Sequence, residues 1–483
     1  MKKTVMFILS LLLSISLCAC TTEPQAEETE LSQTVEELIQ KNSTVPQKED
    51  IEIKETYTSE ADGEHVIETD GETASYSNIK VEKTGDSSGD EADFYGENAA
   101  IFATNGATLT LENIVVETDG THANGVFSYG EGTTVNISNS VIETSGNCSG
   151  GLMTTGGGTM NATNLNIHTT GNSSAAIRSD RGGGTVNVSE GSYITDGKGS
   201  PVIYSTADIT VSDAYLESTS SQGVVVEGQN SVTLNNVELV ADNNSKNSDK
   251  SEWYQAVMIY QSMSGDADEG LASFSMSNGS LLNKNGDIFF VNNTVATINL
   301  ENVLITNEDS DGELLRAAAA GWGSEGSNGG HVTMNLVKET VEGDIVVDEV
   351  SSLNLFLKDG SSYSGAINSD NEDGQIYVEI EDGSTWTLTG DSYITSLTCA
   401  AGSINLNGHK LYVNGVEYSE GTASTGEAIA VEVSTSSHGG MPEGNMSGGD
   451  HGPGDGNEPP EKPDGDHKPG DGNEPPAKPG SNS

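Results

Sequence analysis

The sequence predicts an all-β fold, a single-stranded, right-handed parallel β-helix with coils of about 25 residues. Three observations lead to this prediction: short alternating strands repeat at a constant period, Asn or Asp recurs at one position of each repeat, and Gly-rich turns separate the strands. The right hand follows from the preferred crossover between parallel strands. The predicted β-helix covers residues 56–436 and is flanked by disordered termini.

The period is clearest where successive coils open with an aliphatic residue. These openings fall at Ile101, Val126, Leu152, Ile177, Ile203, Val225, Met258, Phe289 and Leu315. A corner sequence, ETDG at 117–120, recurs from residues 143, 168 and 194, which gives steps of 26, 25 and 26 residues. A period held this closely is the signature of a solenoid.

A column of mostly Asn and Asp residues marks the same bend in each coil. Its members are Asn113, Asn139, Asn164, Glu190, Asp213, Asn236, Asn278 and Asn302. Asn and Asp tolerate left-handed backbone conformations, and stacked amides can bond along the column. One step of 42 residues contains the insertions 243–255 and 264–270, which we expect to project as loops beside a binding face.

The two ends of the chain differ from the repeat. Residues 1–20 begin with MKK and an apolar run, the layout of a secretory signal, and end in LCAC. This ending resembles the lipobox of bacterial lipoproteins, which implies lipidation of Cys20 and an extracytoplasmic, membrane-anchored position at the cell surface. An ordinary signal peptide cut near Ala19 is the alternative. Residues 21–55 are predicted to be an acidic tether, and residues 437–483 a Gly/Pro/Asp-rich disordered tail.

The charge balance restricts the partners. The chain has 20 Lys and Arg against 74 Asp and Glu, a net charge of −54. Such a surface repels nucleic acid and anionic lipid head groups and attracts divalent cations. We therefore expect no nucleic acid partner, and contact with a membrane only through the N-terminal lipid.

The second position of each opening strand should face away from the core, because side chains alternate along a strand. The aromatic and arginine residues at this position, predicted to bind ligand, are Phe102, Phe127, Arg178, Tyr204, Phe290 and Arg316. Exposed on a flat sheet, they would stack on sugar rings and donate to hydroxyls or carboxylates. Two alternatives remain open at this point: the faces are reversed, or a loop covers the stripe.

Three oxygen-rich loops offer places for calcium, the only ion that the sequence suggests; no organic cofactor is expected. The candidate ligands are Asp90 and Asp93 in the first loop, Asp266 and Asp268 in the second, and Asp309 and Asp311 in the third. The third loop fails the EF-hand pattern, because Ala318 stands where glutamate is needed. Solvated turns are the alternative for each loop.

One constellation is compatible with an enzyme. Arg178, Asp180 and Arg181 place a basic group and a carboxylate side by side, as a polysaccharide lyase requires. The longer motifs of pectate lyases and polygalacturonases are missing from the sequence. A lyase is therefore kept as the alternative to a non-enzymatic protein.

The Asn column at a coil corner resembles the pectate-lyase-like parallel β-helix family. The layout of lipobox, acidic tether, β-helix and Gly/Pro-rich tail is similar to clostridial surface β-helix proteins that bind plant polysaccharides and calcium, and residues 382–415 look like the last rungs of autotransporter-type adhesins. The resemblance implies a surface-anchored, non-enzymatic protein that binds a polysaccharide or the surface of a host or neighbouring cell. A structural or self-associating surface spacer is the third class considered.

Overall fold

The computed structural model describes residues 45–435, which form an all-β parallel β-helix. The predicted signal peptide with Cys20, the first part of the tether and the tail 437–483 lie outside the described residues. Strands are numbered β1 to β38 in chain order. No helix within residues 45–435 is both long and apolar enough to cross a bilayer.

Two long sheets form the body. The wide sheet has 20 strands: β1 Glu55–Ser59, β3 Thr73–Ser77, β4 Ile79–Lys83, β6 Thr108–Glu112, β7 Val115–Thr118, β9 Thr134–Thr144, β11 Gly158–Thr169, β13 Gly184–Thr195, β15 Asp208–Ser212, β16 Tyr215–Ser218, β18 Ser231–Asn235, β19 Glu238–Ala241, β21 Leu271–Ser277, β22 Ser280–Asn283, β24 Thr294–Glu301, β25 Leu304–Asn307, β27 Gly330–Val337, β30 Ser352–Lys358, β32 Gln375–Ile380 and β35 Ser396–Cys399. The narrow sheet has 11 strands: β2 Ile67–Asp70, β5 Ile101–Thr104, β8 Val126–Tyr129, β10 Leu152–Thr155, β12 Ile177–Ser179, β14 Ile203–Ser205, β17 Val224–Glu227, β20 Gln255–Tyr260, β23 Asp287–Asn292, β26 Leu315–Ala317 and β29 Ile345–Val347.

Two small sheets and two short helices complete the described residues. The sheets are β28 Thr340–Glu342, β31 Ser362–Ser364, β33 Thr385–Thr387 and β36 Ile404–Asn405, and, at the C-terminal end, β34 Ser392–Ile394, β37 Leu411–Val413 and β38 Val416–Glu417. Helix α1 is Asp90–Phe94, and a 3-10 turn spans Lys48–Asp50.

The strand register confirms the predicted period. In the narrow sheet, Ile101 pairs with Val126, which pairs with Leu152, and each of these residues is at most 1% exposed. Two predicted inward residues are corrected: Val225 pairs with Tyr204 and Met258 pairs with Val225, so both lie in the outward column. In these two strands, the residue just before the predicted one faces the core instead. The coils here depart from 25 residues, and this shifts the inward position by one residue along the strand.

The predicted bend is confirmed at all eight positions of the Asn and Asp column. Every member has a left-handed backbone, with φ between 49° and 60°. Side-chain bonds run along the column: the Asn164 amide donates to Asn139 Oδ1 at 2.9 Å, and the Asn236 amide donates to Asp213 Oδ1 at 2.7 Å. The bend divides each wide-sheet path into a first arm before it and a second arm after it.

Cross-links do not hold the described coils together. Cys148 and Cys399 are both free thiols, as their separation in the repeat predicts. A continuous aliphatic core fills the space between the sheets. Trp386 lies inside this core, fully buried, stacks on Tyr363 and donates its indole N–H to the carbonyl of Gly365 at 2.9 Å.

Replacing Asn164 tests the bend. Asn164→Ala should lower the free energy of unfolding by about 1–2 kcal/mol, because alanine is strained in the left-handed region and the ladder bond is lost. Asn164→Gly should recover most of this loss, since glycine accepts positive φ. Denaturant unfolding followed by circular dichroism measures both. Asn187→Ala, which removes a ladder amide from a regular strand, is the control and should cost less. Equal losses for the alanine and glycine variants of Asn164 would contradict this origin of the bend.

Candidate functional site

The outward face of the narrow sheet is covered, so the predicted aromatic platform is wrong as an exposed surface. Phe127 and Phe290 are 0% exposed, Phe102 is 7% exposed and Tyr204 is 9% exposed. Four covering segments fold over them: residues 85–98 with helix α1, 243–254, 261–270 and 318–328. The apolar outward column requires this cover, because a contiguous exposed apolar patch is unfavourable in water.

The segment 85–98 covers Phe102 and Phe127. The Phe102 ring also stacks on His65 at a centroid distance of 4.4 Å. Gly96 approaches so closely that a Cβ there would lie 2.8 Å from the Phe102 ring. The carbonyl of Phe94 accepts a hydrogen bond from the Thr155 hydroxyl at 2.8 Å. Apolar contact and backbone bonding together seat this segment on the sheet.

The other segments cover the second half of the stripe. Trp253 contacts Phe290 at a centroid distance of 5.7 Å, and Trp322 contacts Tyr260 at 5.2 Å. Both tryptophans come from chain that interrupts the regular coil. The insertions therefore close the face that the sequence predicted them to flank.

Arg181 ties two covering segments to the sheet. Its guanidinium donates to Asp266 at 2.6 Å and to Asp90 at 3.2 Å, and it lies 3.6 Å from the centroid of the Phe94 ring. Asp90 and Asp266 were predicted as calcium ligands in separate loops. The structure brings them together, but as partners of an arginine.

The other two predicted arginines are also held by carboxylates. Arg178 donates to Asp180 at 2.7 Å, and Arg316 donates to Asp287 at 2.7 Å while lying 4.8 Å from the Trp253 ring. A lyase base must reach its substrate, whereas these groups bond within the chain under the cover. The lyase trio of Arg178, Asp180 and Arg181 is adjacent in space but engaged in structural ion pairs.

A buried carboxyl group lies next to these pairs. Glu227 is 0% exposed and accepts hydrogen bonds from the hydroxyls of Tyr204 and of Tyr260, the latter at 3.0 Å. Burial raises the pKa of Glu227 to about 7, with Asp266 and Asp180 adding to the effect and the hydroxyl donors opposing it. Burial likewise raises the pKa of Asp180, against the pull of Arg178.

The remaining residues predicted to bind calcium lie in turns, where Asp309 accepts hydrogen bonds from the backbone. Asp309 accepts from the backbone N–H groups of Gly286 at 2.8 Å and Asp311 at 3.0 Å. Asp311 is exposed, and Asp268 lies near the amide of Gln229. Calcium binding at these positions stays a prediction.

Asp93 belongs to a different group, which the sequence reasoning missed. Its carboxylate faces His122 at 2.5 Å, and the donor atoms of Asp93, His122 and Cys148 all lie within 4.8 Å of one another. Burial alone lowers the pKa of His122, but Asp93 and Cys148 outweigh burial and raise it to about 10. The 26-residue spacing of His122 and Cys148, one coil apart, was the available signal.

A second missed feature lies on the outward face of the first arm of the wide sheet. Small polar side chains form three columns in register, named here the hydroxyl–amide face. The columns are Thr108, Thr134, Thr159, Thr185, Asp208, Ser231, Ser273, Thr297 and Thr333; Thr110, Asn136, Asn161, Asn187, Thr210, Thr233, Ser275, Asn299 and Asn335; and Glu112, Ser138, Thr163, Ser189, Ser212, Asn235, Ser277 and Glu301.

Every residue of the hydroxyl–amide face is partly or fully exposed. The amides of the middle column bond from coil to coil: Asn187 donates to Asn161, and Asn161 donates to Asn136, each at 3.0 Å. The hydroxyls of Thr163 and Ser189 bond at 3.0 Å. These bonds hold the side chains in an ordered array. Repeated sequences such as TVNIS at 134–138 and TVNVS at 185–189 carried the signal.

Comparisons of this chain with protein-family models, with curated proteins and with solved structures find no match.

The pKa of Glu227 predicts a pH-dependent stability. Because its pKa rises from 4.5 in the unfolded chain to about 7 in the folded one, the stability linked to this proton is fully present below pH 4.5 and is lost as pH rises through 7. The loss is on the order of 3 kcal/mol. Glu227→Gln should flatten this part of the profile in denaturant unfolding at graded pH. The exposed Glu131→Gln is the control and should keep the wild-type slope; a wild-type slope in Glu227→Gln would refute the assignment.

Proposed function

We propose that this chain is a surface-anchored, non-enzymatic protein that binds neutral polysaccharides along the hydroxyl–amide face. The observation that carries the proposal is the three-column array of exposed Thr, Ser and Asn side chains, aligned in register over successive coils. Polysaccharides present repeating hydroxyl groups, which both donate and accept hydrogen bonds. A regular array of the same groups is complementary to them.

The ladder leaves bonding capacity for a ligand. An Asn amide has two N–H donors and two acceptor lone pairs. The bonds along the column use one donor of Asn161 and one of its acceptor sites, to Asn136 and from Asn187. One N–H donor and one lone pair of Asn161 are therefore left for a ligand. Since the side chain is already fixed, binding costs little additional rotamer entropy.

The repeat explains how weak bonds would give useful affinity. One hydrogen bond to a neutral group contributes only about 0.5–1.5 kcal/mol net. Coils are spaced at about 4.8 Å, comparable with one sugar unit of an extended glycan, so a single polymer can contact many coils at once. Simultaneous contacts raise avidity steeply. We therefore expect strong retention on polymers and weak binding of short oligosaccharides.

Charge favours a neutral ligand. The net charge of −54 repels anionic polymers, and the face is uncharged apart from Asp208, Glu112 and Glu301. Binding through hydroxyls and amides needs no metal ion. The arginines of the lyase alternative are engaged in ion pairs within the chain, so they are not available to an acidic polysaccharide.

Retention on insoluble neutral polysaccharides tests the proposal. The full chain should be depleted from solution by cellulose or chitin, with and without a chelator, and should release no new chain ends. The double variant Asn161→Glu and Thr233→Glu breaks the middle column with charge and bulk, so retention should fall at least about tenfold. Asn161 is partly exposed and Thr233 is exposed, both on the outward side of the strand, so the fold should persist, which circular dichroism checks.

The matched control carries Ser324→Glu and Ser327→Glu in an exposed loop away from this face. It adds the same charge and should bind as the wild type does. Undiminished retention of the Asn161/Thr233 variant would overturn the proposed face. Absence of wild-type retention on neutral glycans would overturn the proposed function itself.

Anchoring at the cell surface is part of the same proposal and is supported by the lipobox-like LCAC that ends at Cys20. Expressed in a bacterium with lipoprotein processing, the chain should incorporate labelled fatty acid and sediment with membranes. Cys20→Ser should abolish both, because the acylated thiol is lost. Cys18→Ser is the control and should retain the label. Equal membrane association of Cys20→Ser and the wild type would contradict lipid anchoring.

A further inference from the structure

Two successive coils place metal-binding side chains at one corner. The same corner position is occupied in successive coils by Ser87, His122, Cys148, Ser173 and Gly199. The backbone N–H of each of the first four donates to the carbonyl of the residue that precedes the next one in this series. His122 and Cys148 both have left-handed backbones, with φ of 58° and 55°. Coil stacking therefore holds an imidazole and a thiol at about the 4.8 Å coil spacing.

Helix α1 adds the third group. It is inserted into the covering segment 85–98 and directs Asp93 toward the corner, where its Oδ1 lies 2.5 Å from His122 Nε2. Within residues 45–435, Asp93, His122 and Cys148 are the one group of acidic, His or Cys side chains whose donor atoms converge in this way. The side chains of Asp93 and His122 are 15% and 10% exposed, so the group is largely shielded from solvent.

The orientation of the His122 ring distinguishes a nucleophilic triad from a metal site. Its Nδ1 lies 2.9 Å from the carbonyl oxygen of Ser87, which fixes the proton on Nδ1, and its Nε2 faces Asp93. Both ring nitrogens therefore already have oxygen partners, and neither is left to take the thiol proton of Cys148. A nucleophilic triad needs the thiol and the carboxylate on opposite ring nitrogens. A metal-binding histidine instead donates its second N–H to a carbonyl and presents the other nitrogen to the ion. The geometry matches the second arrangement.

We propose that Asp93, His122 and Cys148 bind one Zn²⁺ ion, or a divalent transition metal ion of similar chemistry. Thiolate, imidazole and carboxylate are the ligands that zinc combines, whereas calcium takes oxygen ligands alone. Three protein ligands leave one position for water or another ligand. On binding, Oδ1 and Nε2 would separate from 2.5 Å to roughly 3.3 Å, the spacing in a tetrahedral site.

The charges also balance. Binding would displace the Nε2 proton of His122 and the thiol proton of Cys148 into solvent, after which a thiolate, a carboxylate and a neutral imidazole together offset the divalent ion. Arg178 is close enough to interact with Asp93 and Cys148, but Asp180 pairs with it at 2.7 Å and compensates its charge. The bound ion would join helix α1 to two coils and so fasten the segment that covers Phe102 and Phe127.

Cobalt substitution tests the site, because Co²⁺ occupies zinc sites and is visible by absorption. The full chain, freed of metal by a chelator, should take up one Co²⁺ and develop a near-ultraviolet thiolate charge-transfer band, which added Zn²⁺ removes. Cys148→Ser should abolish the band, and His122→Ala or Asp93→Asn should weaken Co²⁺ binding at least about tenfold. Zn²⁺ should also slow amide exchange in residues 90–94.

The controls use the other thiol within residues 45–435 and another His–Asp pair. Cys399→Ser and His168→Ala, the latter at an exposed pair with Asp196, should bind Co²⁺ as the wild type does. Serine occupies the equivalent corner at Ser173, so Cys148→Ser should fold, which circular dichroism checks. Persistence of the thiolate band in Cys148→Ser, or absence of the band in the wild type, would overturn the proposal.

Discussion

In-register stacking of parallel strands is the constraint on which the rest of this molecule depends. Each coil must repeat the backbone path of its neighbour at about 4.8 Å, so a residue type that suits one coil suits the next. The corner glycines show how strict the path is: a Cβ on Gly146 would lie 1.9 Å from the carbonyl oxygen of Gly120, and one on Gly171 would lie 1.8 Å from that of Gly146. Columns of identical residues follow from this geometry.

The outward face of the narrow sheet is shielded from solvent, whereas the outward face of the first arm of the wide sheet is exposed to it. On the narrow sheet the outward column is largely aromatic and aliphatic, and it is stable only beneath inserted chain. Arg181 holds that chain by ion pairs, and Arg316 contacts it through the Trp253 ring. On the first arm of the wide sheet the outward residues are hydroxyls and amides, which bond to one another and to water without cover. A buried face with internal ion pairs and an exposed ordered face therefore coexist in the same coils.

The parts of this structure that could be predicted are those that the period encodes. The strands, the core column that begins at Ile101 and the left-handed bend at Asn113 all repeat, so the sequence displays them many times over. The cover could not be predicted, because its segments are single, aperiodic insertions whose contacts are distant in sequence. Arg181, for example, meets Asp90 and Asp266 across 91 and 85 residues. The contact between Asp93 and Cys148 could not be predicted for the same reason, because the two residues are distant in sequence and Asp93 lies in one of these insertions.

The position of the insertions explains why the hydroxyl–amide face is left uncovered. The bend between the two arms is made by one or two residues. Strands β11 and β13 continue through it, and between them only the bend residues Asn164 and Glu190 are left out of the pairing. An insertion there would interrupt the hydrogen bonds of both arms and of the neighbouring coils. The inserted segments 85–98, 243–254, 261–270 and 318–328 all arise instead in the turns beside the narrow sheet. The residue that makes the bend thus also keeps added chain away from the ordered face.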